Sequence, residues 1–280
     1  MTVRPVGAIA AGRRHSVGRR TDGSVVTVGH DGAGECRVGD WRDVVAVAAG
    51  NVHTFTNTGK SHTVGLLANG TVVSSGWNAQ GQCDVSGWTD VRAIAAGWRF
   101  TLGVRGDGRV LATGRGSEGQ TSVDGWHDVA AVACGDWHCV GLTSAGTVVG
   151  AGSNRQRQID VGGWRDVVDV SAGYQHTLGL TAAGRVLAVG SSEACDVAAW
   201  REIVRVAAGS HHSVGLTSAG LVLATGSNSH GQCDVQGWSD VVAVAAGSLH
   251  TLGLRDDGTV LAAGCNEFNQ CNVDLWSSIG

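Results

Sequence analysis

The sequence predicts an all-β fold: a seven-bladed β-propeller of four-stranded antiparallel blades, its ring closed near the termini. Three markers with one period predict it. The His of a Gly-x-x-His pattern falls at His15, His62, His138, His176, His212 and His250, with Phe100 in the same slot, in steps of 47, 38, 38, 38, 36 and 38. A Trp closes each unit at Trp41, Trp88, Trp126, Trp164, Trp200, Trp238 and Trp276. A turn Gly recurs at Gly23, Gly70, Gly108, Gly146, Gly184, Gly220 and Gly258. A fixed period near 40 residues marks a repeat whose units bury their faces only against neighbours.

The last unit, from Ser239 to Trp276, shows the elements most clearly. Val241–Ala246, His250–Leu254 and Thr259–Ala263 are apolar runs of strand length, and Gln270–Val273 is a weaker fourth. They are rich in Val, Leu and Thr and bounded by Gly, Asp or Asn, which are strand and turn signatures. The first run is Ala/Val-rich, as suits a crowded position where blades converge. Asp22-Gly23, Asn69-Gly70, Asp107-Gly108 and Asp257-Gly258 predict hairpins between the second and third strands. The Gly in the second run (Gly65, Gly103, Gly141, Gly179, Gly215, Gly253) predicts close approach of a neighbour.

The units run about 3–41, 42–88, 89–126, 127–164, 165–200, 201–238 and 239–276, one propeller domain over 1–280. Val3 is the counterpart of Trp276, so the last residues overlap the first few, as closure of a ring requires. The fifth unit is two residues short before Cys195. The second carries nine extra residues near 52–60, at a loop tip where insertions are tolerated and where a binding lip could form.

The chain has 280 residues, 42 % of them apolar, with 45 Gly, one Pro and a formal net charge of −4. That balance predicts no nucleic-acid partner. No apolar run approaches the ~18 residues of a membrane span and the start lacks a signal-peptide stretch. The expectation is a soluble, cytoplasmic monomer.

Five of the eight Cys share one repeat slot (Cys36, Cys83, Cys195, Cys233, Cys271), which Thr121 and Ile159 fill elsewhere. A slot that accepts Cys, Thr and Ile is a small, semi-buried position, and equivalent slots on separate blades lie too far apart to bridge. Cys134 and Cys139 with His138 lack the second half of a metal site. No metal and no cofactor are expected. The His ring reads as structural, each imidazole bonding a loop carbonyl. Gly59-Lys60-Ser61 ends like a phosphate-binding loop, but Thr54 stands where Gly is required.

The AAGxxHT run, the DGxVLAxG run and the GxNxxGQ loop (Gly226 to Gln232) resemble the regulator of chromosome condensation repeat family. The likeness covers the whole chain and implies the seven-bladed propeller. It does not assign a function, because the fold hosts many. The family's founder suggests one alternative, guanine-nucleotide-exchange-like regulation of a small GTPase.

Strand parity then points to a working surface. With strands running alternately up and down, the first and third loops of each blade share one face, and these loops vary while the opposite face is monotonous. The candidate binding residues on the varied face are Arg14, His53, Phe55, Lys60, Trp77, Trp98, Arg99, Trp137, Tyr174, His211 and Phe268. Aromatic and Arg residues dominate interface energetics, so the expected function is a non-catalytic scaffold for a protein or peptide with acidic patches. The alternative is an enzyme or small-molecule binder at the central channel mouth on that face, with His53, His62, His211 and His230 as first suspects. No catalytic residues stand out.

Overall fold

A computed structural model describes residues 7–51, 59–190 and 193–280. It contains seven antiparallel three-stranded sheets. Strands β1 (Ile9–Ala11), β2 (His15–Arg19) and β3 (Val25–Gly29) form the first; β4 (Val44–Ala49), β5 (His62–Leu67) and β6 (Val72–Gly76) the second. The third holds β7 (Val91–Ala96), β8 (Phe100–Arg105) and β9 (Val110–Gly114); the fourth β10 (Val129–Cys134), β11 (His138–Thr143) and β12 (Val148–Gly152). The fifth is β13 (Val167–Ala172), β14 (His176–Thr181) and β15 (Val186–Gly190); the sixth β16 (Ile203–Ala208), β17 (His212–Thr217) and β18 (Val222–Gly226). The seventh is β19 (Val241–Ala246), β20 (His250–Arg255) and β21 (Val260–Gly264). The first strands succeed one another around an axis, with β1 against both β4 and β19. No helix among the described residues is long and apolar enough to cross a membrane.

Each blade has three strands, not the expected four. The fourth run, Gln270–Val273, forms turns. Cys271 N donates to Asn266 Oδ1 (2.9 Å), Val273 N to the Cys271 carbonyl (2.9 Å) and Trp276 N to the Val273 carbonyl (2.9 Å). Local bonds take up the donors that a ladder to β21 would need. The same Asx arrangement recurs at Asn78, Asn154 and Asn228.

The second strand of each blade is buried on both faces, which its unbroken apolar run requires. Its Gly is the seat of the preceding Trp. A β-carbon on Gly179 would lie 2.5 Å from Trp164, and one on Gly18 would lie 2.8 Å from Trp276. The predicted close neighbour is therefore an indole. The Trp276–Gly18 contact joins the last blade to the first in the way every other pair is joined. Ile279, fully buried, bridges to Arg20, and Ser248 N donates to the Gly12 carbonyl at 3.2 Å.

The corner two residues after each closing Trp, Asp in five blades and Glu or Ser in two, has a backbone cause. Asp43, Asp90, Asp128, Asp166, Glu202, Asp240 and Ser278 all have φ between 56° and 60°. This is the left-handed region, which Asp tolerates better than most residues.

The His ring links blades rather than locking its own turns. His15 Nε2 bonds Thr63 Oγ1 of the next blade (2.9 Å), and Thr63 Oγ1 donates to the Glu35 carbonyl (2.7 Å). His62–Thr101, His138–Thr177, His176–Ser213, His212–Thr251 and His250–Ser16 repeat it at 2.9–3.0 Å. A hydroxyl has one proton. Each gives it to a carbonyl, at 2.8 Å from Thr101 and 2.7 Å from Thr177, so the imidazole must be the donor through Nε2–H. All six rings are neutral and fully buried. Burial holds His15 down to about 4 and the other five to about 3.

All eight Cys are free thiols. Burial pushes Cys36, Cys83 and Cys271 up to about 11. No group of three or more His, Cys, Asp or Glu suited to a metal ion occurs among the described residues.

Candidate functional site

The first loop of a blade opens with Gly after the inner strand, and the third follows the last strand. Backbone bonds bring the two together: Arg115 N donates to the Arg99 carbonyl, Trp77 N to Ser61, and His30 N to Arg14, each at 2.8 Å. Side chains of both loops then meet on one face.

Four rings from successive blades form an arc there. Trp98 and Trp137 have centroids 6.1 Å apart, Trp137 and Tyr174 5.3 Å, and Tyr174 and His211 5.2 Å. The last two pairs are edge-to-face, the arrangement the ring quadrupoles favour. Arginines extend the arc at its Trp98 end. The Arg99 guanidinium stands 4.4 Å from both the Trp77 and Trp98 rings, and Arg115 stands 4.5 Å from Trp98. Arg115 is oriented by Glu118 (2.6 Å) and Ser117 (2.7 Å). Arg99 has φ 65°, a left-handed backbone that costs about 1 kcal/mol for a non-glycine residue. Stacking between two indoles offsets it. Burial lowers the Arg99 pKa, and the nearby Arg115 charge lowers it further. Each ring of the arc is half-buried, leaving part of it to solvent.

A second cluster lies across the ring. Arg14 covers the Phe268 ring at 4.2 Å, and His30 meets that ring edge-on at 5.4 Å. His30 Nδ1 bonds Glu35 (3.0 Å), whose other oxygen accepts from Ala33 N (2.8 Å). Glu35 fills the slot that Gln82, Gln120, Gln158, Gln232 and Gln270 occupy elsewhere.

Between the clusters, polar groups cross the channel mouth. Ser248 Oγ of the seventh blade donates to Asn51 Oδ1 of the second (2.6 Å), and Ser210 of the sixth reaches the same oxygen at 3.5 Å. Arg13 and Asp136 are buried alongside. Burial lowers Arg13 to about 10, Arg14 adds to that, and Asp136 opposes it.

Of the sequence-predicted residues, Trp77, Trp98, Arg99, Trp137, Tyr174 and His211 fall in the arc, and Arg14 with Phe268 in the second cluster. Lys60 is exposed beside the insertion. His53 and Phe55, with most of the inserted segment, lie outside the described residues. Among the channel suspects, His62 is an interblade link, His211 belongs to the arc, and His230 bonds Ser229 (2.9 Å) on an exposed loop. Sequence reasoning did not single out Arg115, His30 or Asn51. Their signal was departure from the repeat consensus in loops already marked as variable.

This architecture defines a seven-bladed propeller whose individuality is gathered on one loop face. The model of the regulator of chromosome condensation (RCC1) repeat matches residues 56–82, 91–120, 129–158, 167–194, 203–232 and 241–270, and the chain belongs to that family. A search of the curated proteins gives no match. Among solved structures, the ectodomain of the Physcomitrella patens receptor kinase CR4 is 18 % identical, covering 92 % of this chain and 73 % of that one, with a TM-score of 0.73. Human WBSCR16 is 18 % identical, covering 89 % and 85 %, with a TM-score of 0.70. Prp20p from Saccharomyces cerevisiae, described with its binding to Gsp1p and histones, is 19 % identical, covering 84 % and 76 %, with a TM-score of 0.65. These likenesses concern the fold.

Proposed function

We propose that the protein is a non-catalytic propeller scaffold that holds a protein or peptide on its varied loop face. The observation that carries this reading is the half-buried arc of Trp98, Trp137, Tyr174 and His211 flanked by Arg99 and Arg115. Rigid Trp and Tyr rings bury much area at little conformational cost, and Arg is enriched with them among interface anchors. The guanidiniums favour a partner with acidic side chains. Family context agrees: Prp20p was characterised through its binding to Gsp1p and histones, and in a complex with Kap60.

Selection of a random peptide library on the immobilised protein tests it. Enriched peptides should carry Asp or Glu near an apolar residue. Their affinity should fall about tenfold or more on Trp98→Ala or Trp137→Ala, the range of a single hot-spot truncation. Peptides indifferent to both substitutions, with the fold intact, would overturn the choice of face.

A further inference from the structure

The central channel holds a cavity of about 330 Å³ between the inner strands. Its end at the varied face is crossed by the Asn51–Ser248 bond. Its other end lies where the inner strands begin, beside Arg92. The wall is mainly Ala and Val, with Asn51, Arg92, Asp169, Ser171 and Arg205 as its polar residues. Two of these, both charged, fall in one ring of equivalent positions. Four residues before the Gly that follows each inner strand, five blades carry Ala8, Ala46, Ala93, Ala131 and Ala243, and the two adjacent blades five and six carry Asp169 and Arg205.

These two charges interact across the cavity but form no direct ion pair. The ion pairs among the described residues are His30–Glu35, Arg37–Asp31 and Arg115–Glu118. Instead, Asp169 Oδ1 accepts from Val170 N (3.0 Å) and Oδ2 accepts from Val206 N of the next blade (3.5 Å), beside the interblade bond of Ala208 N to Ser171 Oγ (2.9 Å). Arg205 Nη1 donates to the Val204 carbonyl (3.0 Å). Each charge is oriented by backbone and lines the same cavity, with acceptor and donor capacity left over. Burial also raises the Asp169 pKa to about 6, which the Arg205 charge and the two amides moderate. Keeping an anion there at neutral pH has a cost that a bound cation would relieve.

We infer that the channel is a binding site, opening on the face opposite the varied loops, for a small zwitterion of the amino-acid type with an apolar tail. Asp169 receives the ammonium group, Arg205 the carboxylate, and the Ala/Val wall the tail. The volume lies within the range of small-ligand pockets, which set a few convergent polar groups in an apolar wall. This site is independent of the loop-face scaffold and stands or falls separately.

The test uses L-leucine as the probe, with L-leucinamide lacking the carboxylate and 4-methylpentanoate lacking the ammonium. Titration calorimetry at pH 7.5 should give saturable binding of leucine, with both analogues weaker by about tenfold or more, as loss of a charge-assisted contact implies. Asp169→Ala and Arg205→Ala should each weaken leucine similarly and keep the fold, since Ala occupies that position in five other blades. Unchanged melting curves would check the fold. Absence of saturable binding up to about 10 mM, above the millimolar range of weak ligands, would overturn the inference. So would equal binding of all three probes, or binding unaffected in both variants.

Discussion

At the scale of single residues, one irregularity in the His ring explains another. Phe100 is the ring position without His, and Cys139 is the partner position without a hydroxyl. They belong to the same interblade junction: the residue opposite Phe100 on the next blade is Cys139, and both pack in one core cluster. Cys139 Sγ keeps the link to the Gln120 carbonyl at 3.1 Å. A polar pair has been replaced on both sides by apolar groups, which avoids leaving a buried donor unmatched. Phe100→His alone would point an N–H at a thiol, a weak acceptor, and destabilise. Cys139→Thr alone would place a hydroxyl against a phenyl ring. Together they rebuild the link found at six other junctions. Urea unfolding of the four proteins of this cycle should give a favourable coupling of about 1 kcal/mol. Additive effects would mean that the two positions do not communicate. The sequence displayed both exceptions, but nothing in it joined them, because the contact spans 39 positions and two blades.

At the scale of the element, the second strand is defined by what it lacks. Gly179 sits in the middle of β14, where a β-carbon would fall 2.5 Å from the Trp164 ring. Gly179→Ala must displace the indole from a junction that has no slack, at a cost of about 1–3 kcal/mol. Gly162 is the control: nothing lies within 4 Å of its added β-carbon, and its φ is not positive. Gly162→Ala should leave stability unchanged or raise it by up to about 1 kcal/mol. Equal melting temperatures for the two variants would contradict the packing described. These strands were legible because short apolar runs and turn glycines have local causes. The fourth strand was misread for a local reason too: Gln-Cys-Asn-Val has strand composition, yet the Asn266 side chain captures the Cys271 amide first. The arc was legible only as a set of residue types, since Trp98, Trp137, Tyr174 and His211 become neighbours through blade stacking. Asp169 and Arg205 escaped notice because each looks like one polar residue in an otherwise apolar strand.

At the scale of the whole molecule, the six neutral histidines make the propeller sensitive to acid. In the unfolded chain each imidazole ionises near 6.5; in the folded protein burial holds it near 3, or 4 for His15. The native state therefore resists protons that the unfolded state accepts, so stability is full above pH 6.5 and is lost as pH falls below it. At pH 5 the loss is about 2 kcal/mol for each ring, from 1.36 kcal/mol per pH unit. Six rings together lose on the order of 10 kcal/mol, which matches the total stability of an ordinary domain. Asp169 acts in the opposite sense. Its folded pKa is raised from 3.8 to about 6, so acidification relieves a buried charge, but one group returns only about 1 kcal/mol by pH 5. The histidines dominate. Urea midpoints measured at pH 7.5, 6.5, 5.5 and 5 should fall steeply below 6.5, with several protons taken up on unfolding. A flat profile across that range would show that the rings carry charge in the native state. A second proton would then sit on Nδ1, which in His15, His138, His176, His212 and His250 is buried with no hydrogen-bond partner among the described residues.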